Sequence, residues 1–245
     1  MAKIAKKSYW KPQYHISAPA NWINDPNGFC YFNGEYHVFY QYHPYSSQWG
    51  PMHWGHVASK DLVNWKTKPI ALAPTDEYDR DGCFSGSAIE KDNTLYLFYT
   101  GHVVLDKEND KDDAQLQTQC VAISEDGINF KKLENNPIIN IDSFPEDLNI
   151  LKEHFRDPKI FAGKNNDFFL VIGAQTKQTK LGAIALYHSL DGENWQYMGS
   201  LATSNTYQMI ECPDMFRMGD KYILFYCPQY RDNEKDIPLV SLCIK

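Results

Sequence analysis

The chain has 245 residues, 43% of them hydrophobic and 14% aromatic, with 31 acidic against 24 basic residues and a net charge of -7. That composition can fill a core and excludes disorder as the main state. The acidic balance, with no basic stripe beyond Lys3, Lys6 and Lys7, argues against a nucleic-acid partner. No window approaches the roughly 18 apolar residues that span a bilayer, and the N-terminal segment has no apolar core, so the expectation is a soluble, cytoplasmic protein with no membrane partner.

Taken in chain order, W-I-N-D-P-N-G at residues 22–28 opens a first unit, a strand is predicted at 35–40, and the turn S-K-D-L-V-N-W follows at 59–65. A second unit opens on F-S-G-S at 84–87, with a strand at 94–99 and the turn S-E-D-G-I-N-F at 124–130. The third opens on F-R-D-P at 155–158, with a strand at 167–172 and the turn S-L-D-G-E-N-W at 189–195. The fourth opens on E-C-P-D at 211–214 and has a strand at 221–226.

The three turns share S-x-D-x-x-N and an aromatic, and their serines, Ser59, Ser124 and Ser189, recur every 65 residues. An Asp or Asn can hydrogen-bond its own backbone, Gly127 and Gly192 accept positive φ, and the aromatic starts the next strand, so each is a hairpin corner. Units of roughly 60 to 70 residues with several short strands each, and no helical periodicity, predict an all-β fold built as the blades of a β-propeller rather than a sandwich. The fourth unit starts near Glu211 and the sequence ends at Lys245, so residues 1–245 are expected to form one propeller domain broken off in its fourth blade.

Other features read as structural. The acidic stretch from Asp106 to Asp113 lacks the Gly and the closing Glu of an EF-hand loop and is expected to be a solvated connection. Cys30, Cys83, Cys120, Cys212, Cys227 and Cys243 form no C-x-x-C pair and are expected to be free and mostly buried. His53 and His56 lack a zincin Glu and a helix to hold them, so no metal site is expected. There is no G-x-S-x-G elbow, P-loop or dinucleotide fingerprint.

In a propeller the first strand of each blade lines a shared channel. Three unit starts carry carboxylates: Asp25, Asp157 and Glu211. Each alone reads as a turn or an ion pair, but their recurrence at one phase of the repeat points to a common site. Cleaving a glycosidic bond takes one carboxylic acid to protonate the leaving oxygen and one carboxylate to attack the anomeric carbon, roughly 5 to 5.5 Å apart if configuration is retained. Asn24, Asn27 and turn amides favour the Asp25 anion, whereas Ile210, Cys212 and Pro213 around Glu211 favour its protonated form. On this reading Asp25 is the nucleophile and Glu211 the acid/base.

W-I-N-D-P-N-G, F-S-G-S, F-R-D-P and E-C-P-D, in this order, resemble the signatures of glycoside hydrolase family 32 over roughly residues 10 to 230. The resemblance implies a five-bladed β-propeller followed by a β-sandwich, of which this chain would cover roughly three and a half blades and none of the sandwich. It implies a β-fructofuranosidase that cleaves sucrose, sucrose 6-phosphate or fructans with retention. Asp25 then matches the nucleophile, Asp157 the carboxylate that binds fructosyl hydroxyls and stabilises the transition state, and Glu211 the acid/base. Asn24, Gln41, Trp49, Phe84, Ser85 and Arg156 match sugar-binding positions. Ile23 stands where the family more often has Met, a volume-conserving change.

Trp49 and Trp54 follow the first long strand and are candidates to stack on a sugar. The expected partner is a small sugar, and no cofactor is expected because the two-carboxylate mechanism is complete without one. Fructosyl transfer through the same intermediate, or sugar binding without catalysis, are the alternatives. No phosphate-binding cluster is legible, with Lys177, Lys180 and Arg231 the basic candidates.

Overall fold

The computed structural model describes residues 8–12, 14–106, 114–140, 149–165, 167–229 and, for the backbone, 241–244. Among these residues there is no helix, and the strands form four antiparallel sheets in which spatial order follows chain order. The first sheet is β1 (Trp22–Phe32), β2 (Glu35–His43), β3 (His53–Ser59) and β4 (Lys66–Thr67). The second is β5 (Gly82–Lys91), β6 (Thr94–Val104), β7 (Gln115–Ser124) and β8 (Lys131–Lys132). The third is β9 (Ile150–Ala162), β10 (Phe168–Thr176), β11 (Gly182–Ser189) and β12 (Gln196–Thr203), and the fourth is β13 (Met209–Met218), β14 (Lys221–Gln229) and β15 (Ser241–Ile244). No helix among the described residues is long and apolar enough to cross a membrane.

The four predicted apolar runs are the second strands β2, β6, β10 and β14, each extending several residues further than the sequence indicated. β2, β6 and β10 are apolar on both faces because each lies between two cores, whereas β14 contributes to one. In β6, Leu95, Leu97 and Tyr99 enter the core shared with Phe39 and Trp54 of the first sheet, while Phe98 enters the core shared with Phe155, Leu170 and Ile172 of the third. In β10, Leu170, Ile172 and Ala174 face that same core, and Val171 turns the other way to meet Ile210 and Leu224 of the fourth sheet. This is the period-2 alternation of a strand applied to stacked sheets.

The repeated S-x-D-x-x-N turns join the third and fourth strands of the first three sheets. In each the Asp is the hub. Asp61 accepts from Ser59 Oγ at 2.9 Å, Asn64 N–H at 2.7 Å and Asn64 Nδ2 at 2.7 Å, and Asp126 and Asp191 repeat the pattern. The residue after the Asp takes positive φ: 71° at Gly127, 86° at Gly192 and 62° at Leu62.

The first strands β1, β5, β9 and β13 pack against one another in sequence, and side chains cross between them. Asn27 Oδ1 accepts from Gly86 N–H at 3.2 Å, while Ser87 Oγ donates to Pro158 O at 2.7 Å and accepts from Ile160 N–H at 2.9 Å. At Gly86 a Cβ would sit 1.9 Å from Phe98 O, so the glycine of F-S-G-S is required by backbone approach.

The cysteines depart in part from expectation. Cys83 and Cys120 are buried and free, but Cys30 and Cys212 are half-buried and Cys227 is exposed. Most of the acidic stretch, and the side chain of Cys243, lie outside the described residues. His56 is buried with Nε2 at 2.9 Å from His37 Nδ1, and His53 Nδ1 lies 3.1 Å from Pro51 O, as strand histidines.

Candidate active site

The three carboxylates and Ser85 sit at or beside points where their strands leave regular pairing. The β1–β2 register shifts between Ile23 and Pro26, bracketing Asn24 and Asp25. In β5 it shifts between Phe84 and Gly86, at Ser85. In the pairing of β9 with β10 it shifts beyond Arg156, at Asp157, and in β13 between Glu211 and Asp214. A bulge re-aims a side chain that strict alternation would send into a core. Asp157 and Cys212 hold positive φ, 64° and 45°, a strain that the surrounding bonds maintain.

The bulges converge on one cleft of about 920 Å³. Asn24, Asp25, Gln41, Trp49, Phe84, Ser85, Arg156, Asp157 and Glu211 all line it. Ser85 Oγ donates to Asp25 Oδ2 at 2.7 Å, leaving Oδ1 available. Cys212 N–H donates to Asp157 Oδ2 at 2.9 Å, and the Cys212 thiol lies 3.6 Å from that oxygen and 3.9 Å from Asp25 Oδ2. Arg156 donates to Glu211 Oε1 from Nη2 at 2.7 Å and from Nε at 3.1 Å, and Gln229 Nε2 donates to Glu211 Oε2 at 2.5 Å.

Burial and neighbouring charge act strongly on Asp157, Cys212 and Arg156. Burial raises Asp157 from the ordinary carboxylate range to about 7, and the anions Glu211 and Asp25 add to it against the pull of Arg156 and Cys212 N–H. Burial and the same carboxylates push the Cys212 thiol well up, so it remains protonated. For Arg156 burial opposes the charge, but Glu211 and Asp157 outweigh it and hold the guanidinium above its usual range. The environment of Glu211 therefore differs from the sequence expectation: its side chain meets a cation and an amide donor rather than an apolar wall.

Trp54 is corrected. It is a residue of β3 with 0% exposure, its indole N–H donating to Phe84 O at 3.0 Å, and it packs against Phe39 and Tyr99. Strand pairing on both sides leaves it no face for a sugar. It supports Phe84 instead, which stacks on His102 at 4.0 Å and meets Trp49 edge-on at 5.9 Å. Trp49 is 55% exposed at the rim.

Sequence reasoning missed several lining residues, among them His102, Gln117, His154, Gln175 and Gln229. Burial lowers His102 to about 4, so its ring is neutral at physiological pH. Gln117 Oε1 accepts from Phe155 N–H at 3.0 Å, and Gln119 Nε2 donates to Phe155 O at 2.8 Å, so two amides of β7 clamp the backbone before Arg156. The period-2 run Gln115, Gln117, Gln119 was the available signal: a polar face on an otherwise buried strand. Of the basic candidates, Lys180 lines the cleft, Lys177 does not, and Arg231 lies outside the described residues.

Residues 15–240 match the family described as Glycosyl hydrolases family 32 N-terminal domain. The chain is 44% identical over 236 residues to a sucrose-6-phosphate hydrolase of Zymomonas mobilis, a match covering 91% of this chain and 43% of that protein. Its fold is similar to a Bombyx mori GH32 beta-fructofuranosidase, with TM-score 0.83 and 41% identity over 96% of this chain and 48% of the other. It is similar also to a sucrose-6-phosphate hydrolase from Lactobacillus gasseri, with TM-score 0.85 and 33% identity over 99% of this chain and 48% of the other. The chain thus spans about half the length of the relatives it matches.

Proposed function

Since the chain belongs to family 32 of the glycosyl hydrolases, we propose that it is the N-terminal catalytic domain of a retaining β-fructofuranosidase acting on sucrose or sucrose 6-phosphate. The observation that carries this is the meeting of Asp25, Asp157 and Glu211, from three different sheets, in one cleft. The four stacked sheets are read as successive blades of the five-bladed propeller, with their first strands around the channel.

In this reading Asp25 attacks the anomeric carbon of the fructosyl unit through Oδ1, while Ser85 holds Oδ2. Glu211 delivers a proton to the glycosidic oxygen, the bond electrons leave with the departing sugar, and a covalent fructosyl-enzyme forms. Glu211 then takes a proton from water, which attacks the same carbon and restores Asp25, so configuration is retained. Asp157 faces the fructosyl hydroxyls and, as an anion in a dry pocket, stabilises the positive charge of the transition state. Trp49 and Phe84 supply the apolar wall for the sugar.

The test is hexose release from sucrose and from sucrose 6-phosphate by this chain and by Asp25→Ala, with the product anomer followed by NMR. Turnover with retention that falls at least 1000-fold in Asp25→Ala, on the scale of losing a covalent nucleophile, is the expected result. Inversion, or undiminished turnover in a folded Asp25→Ala, overturns the reading.

A further inference from the structure

Resting on that reading, we propose that Lys180 determines specificity for the departing sugar by binding a phosphate monoester carried on it. The cleft wall is chemically divided. The first sheet and β5 contribute Trp49 and Phe84, whereas the lining from the third and fourth sheets includes Gln175, Gln208 and Gln229 and, among the described residues, no Trp, Tyr or Phe. A wall of amides suits hydroxyls and charged oxygens rather than the apolar face of a sugar ring.

Among the described residues, the Lys and Arg side chains that line the cleft are Arg156 and Lys180. Arg156 is committed to Glu211 at 2.7 Å. Lys180 has no ion pair among the described residues. Its position is fixed by a tight turn between β10 and β11: Thr176 N–H donates to Leu181 O at 2.9 Å, Lys180 N–H donates to Thr176 O at 3.1 Å, and Lys180 itself takes positive φ, 56°. Asn149 secures the other side of the turn, accepting from Lys177 N–H through its carbonyl at 3.2 Å and from Gln178 N–H through Oδ1 at 3.1 Å. A cleft-lining lysine held in an unfavourable backbone conformation by this many bonds is a placed charge.

Its height above the floor fits a substituent remote from the scissile bond. Arg156 pairs with Gly173 on β10, and Thr176 lies three residues further along, roughly 10 Å at ~3.3 Å per residue. The turn therefore sits toward the mouth, where Lys177, Gln178 and Thr179 are exposed. The floor carries Asp25, Asp157 and Glu211 and repels a phosphate, so an anionic substituent is tolerated only on the outward end of the departing sugar. There an ammonium can meet it as a point charge.

The experiment measures binding, so it does not depend on turnover. In the Asp25→Asn background, the affinities of sucrose 6-phosphate and of sucrose are determined by calorimetry, with and without Lys180→Met and Lys180→Arg, at low and high salt. The expected result is a preference for the phosphorylated sugar that shrinks roughly ten- to hundredfold in Lys180→Met, is largely kept in Lys180→Arg, and weakens with salt. A preference that changes less than twofold in Lys180→Met, or equal affinities for the two sugars before any change at Lys180, overturns it. Absence of turnover by the unaltered chain counts against the hydrolase reading alone.

Discussion

Arg156 and Glu211 stand on different sheets, with Nη2 and Nε of the guanidinium 2.7 and 3.1 Å from the same carboxylate oxygen, Oε1. The residue that precedes Asp157 therefore orients the carboxyl proposed as acid/base, and two members of the site are coupled through one peptide bond. Arg156 Nη1 also reaches Gln117 Oε1 at 3.4 Å, which ties the guanidinium plane to β7.

Lysine at this position keeps the charge but cannot aim several N–H groups in a plane. Arg156→Lys is expected to lower kcat/KM about a hundredfold, mostly in kcat, because Glu211 loses its fixed orientation. Steady-state kinetics on sucrose, beside circular dichroism to verify the fold, decides it. An Arg156→Lys enzyme within threefold of the original would show that the pair only fills space.

Asp157 gives a prediction in which stability and activity move in opposite directions. Its folded-state value is raised above that of an unfolded chain, to about 7, by burial and by Glu211 and Asp25. Below the unfolded value, near 3.8, the group is protonated in both states and costs nothing. As pH rises through the window up to about 7, ionisation penalises the folded state. Asp157→Asn keeps a residue that tolerates the positive φ and removes that penalty. It is expected to raise Tm at pH 8, by roughly 2–4 °C for each kcal/mol relieved, to change it little at pH 4, and to abolish turnover. In the parent enzyme, activity should decline on the acid side as Asp157 takes up its proton. Thermal melts at the two pH values are the check, and equal shifts at both would refute the assignment.

Leu62 occupies the turn position that Gly127 and Gly192 fill in the sister turns, at φ 62° and 46% exposed. It pays the left-handed penalty with little burial in return. Leu62→Gly is expected to stabilise the protein by about 0.5–1 kcal/mol, the residue of a larger steric relief after the entropy of glycine is subtracted. Chemical denaturation measures this directly, and a loss of stability would mean that Leu62 packs better than its exposure indicates.

Lys132 Nζ meets Asp79 Oδ2 at 2.5 Å and Asp76 Oδ2 at 2.8 Å, and Asp79 is 0% exposed. Tyr99 O–H also donates to that Asp79 oxygen at 2.9 Å. Lys132→Met leaves a buried carboxylate without its cation and is expected to cost about 3–5 kcal/mol. The joint change Lys132→Met with Asp79→Asn should recover part of that loss, as a double-mutant cycle would report.

The organisation of the fold was largely legible in the sequence, because its signals are local. An Asp that binds the backbone of the next residues imprints S-x-D-x-x-N on each corner, and a strand between two cores imprints a continuous apolar run. The approximate positions of Asp25, Asp157 and Glu211 were legible for the same reason, each lying at a unit start. What stayed hidden is set across sheets. Trp54 has the composition of its loop neighbours, and only the pairing of β3 with β2, which places it opposite Gln41, puts it in the core. Glu211 has apolar neighbours along the chain, yet its environment is made by Arg156, 55 residues away, and by Gln229, 18 away. Amide side chains such as Gln175 carry no motif, so their place in the cleft follows from register alone.

The spread of the site along the chain bears on how it comes into being during folding. Ser85 and Asp25 are 60 residues apart, Cys212 and Asp157 are 55 apart, and Cys212 and Asp25 are 187 apart. Each hairpin can form by itself from neighbouring sequence, but Asp25, Asp157 and Glu211 belong to three different sheets. Closing such distant contacts is the slow part of forming a non-local β topology. On the proposed mechanism, catalytic competence is thus a late event, acquired when the sheets dock, and a refolding chain is expected to regain its strand signal before its chemistry. If Glu211 is the acid/base as proposed, a ribosome-bound chain stays inert until the segment bearing it has emerged.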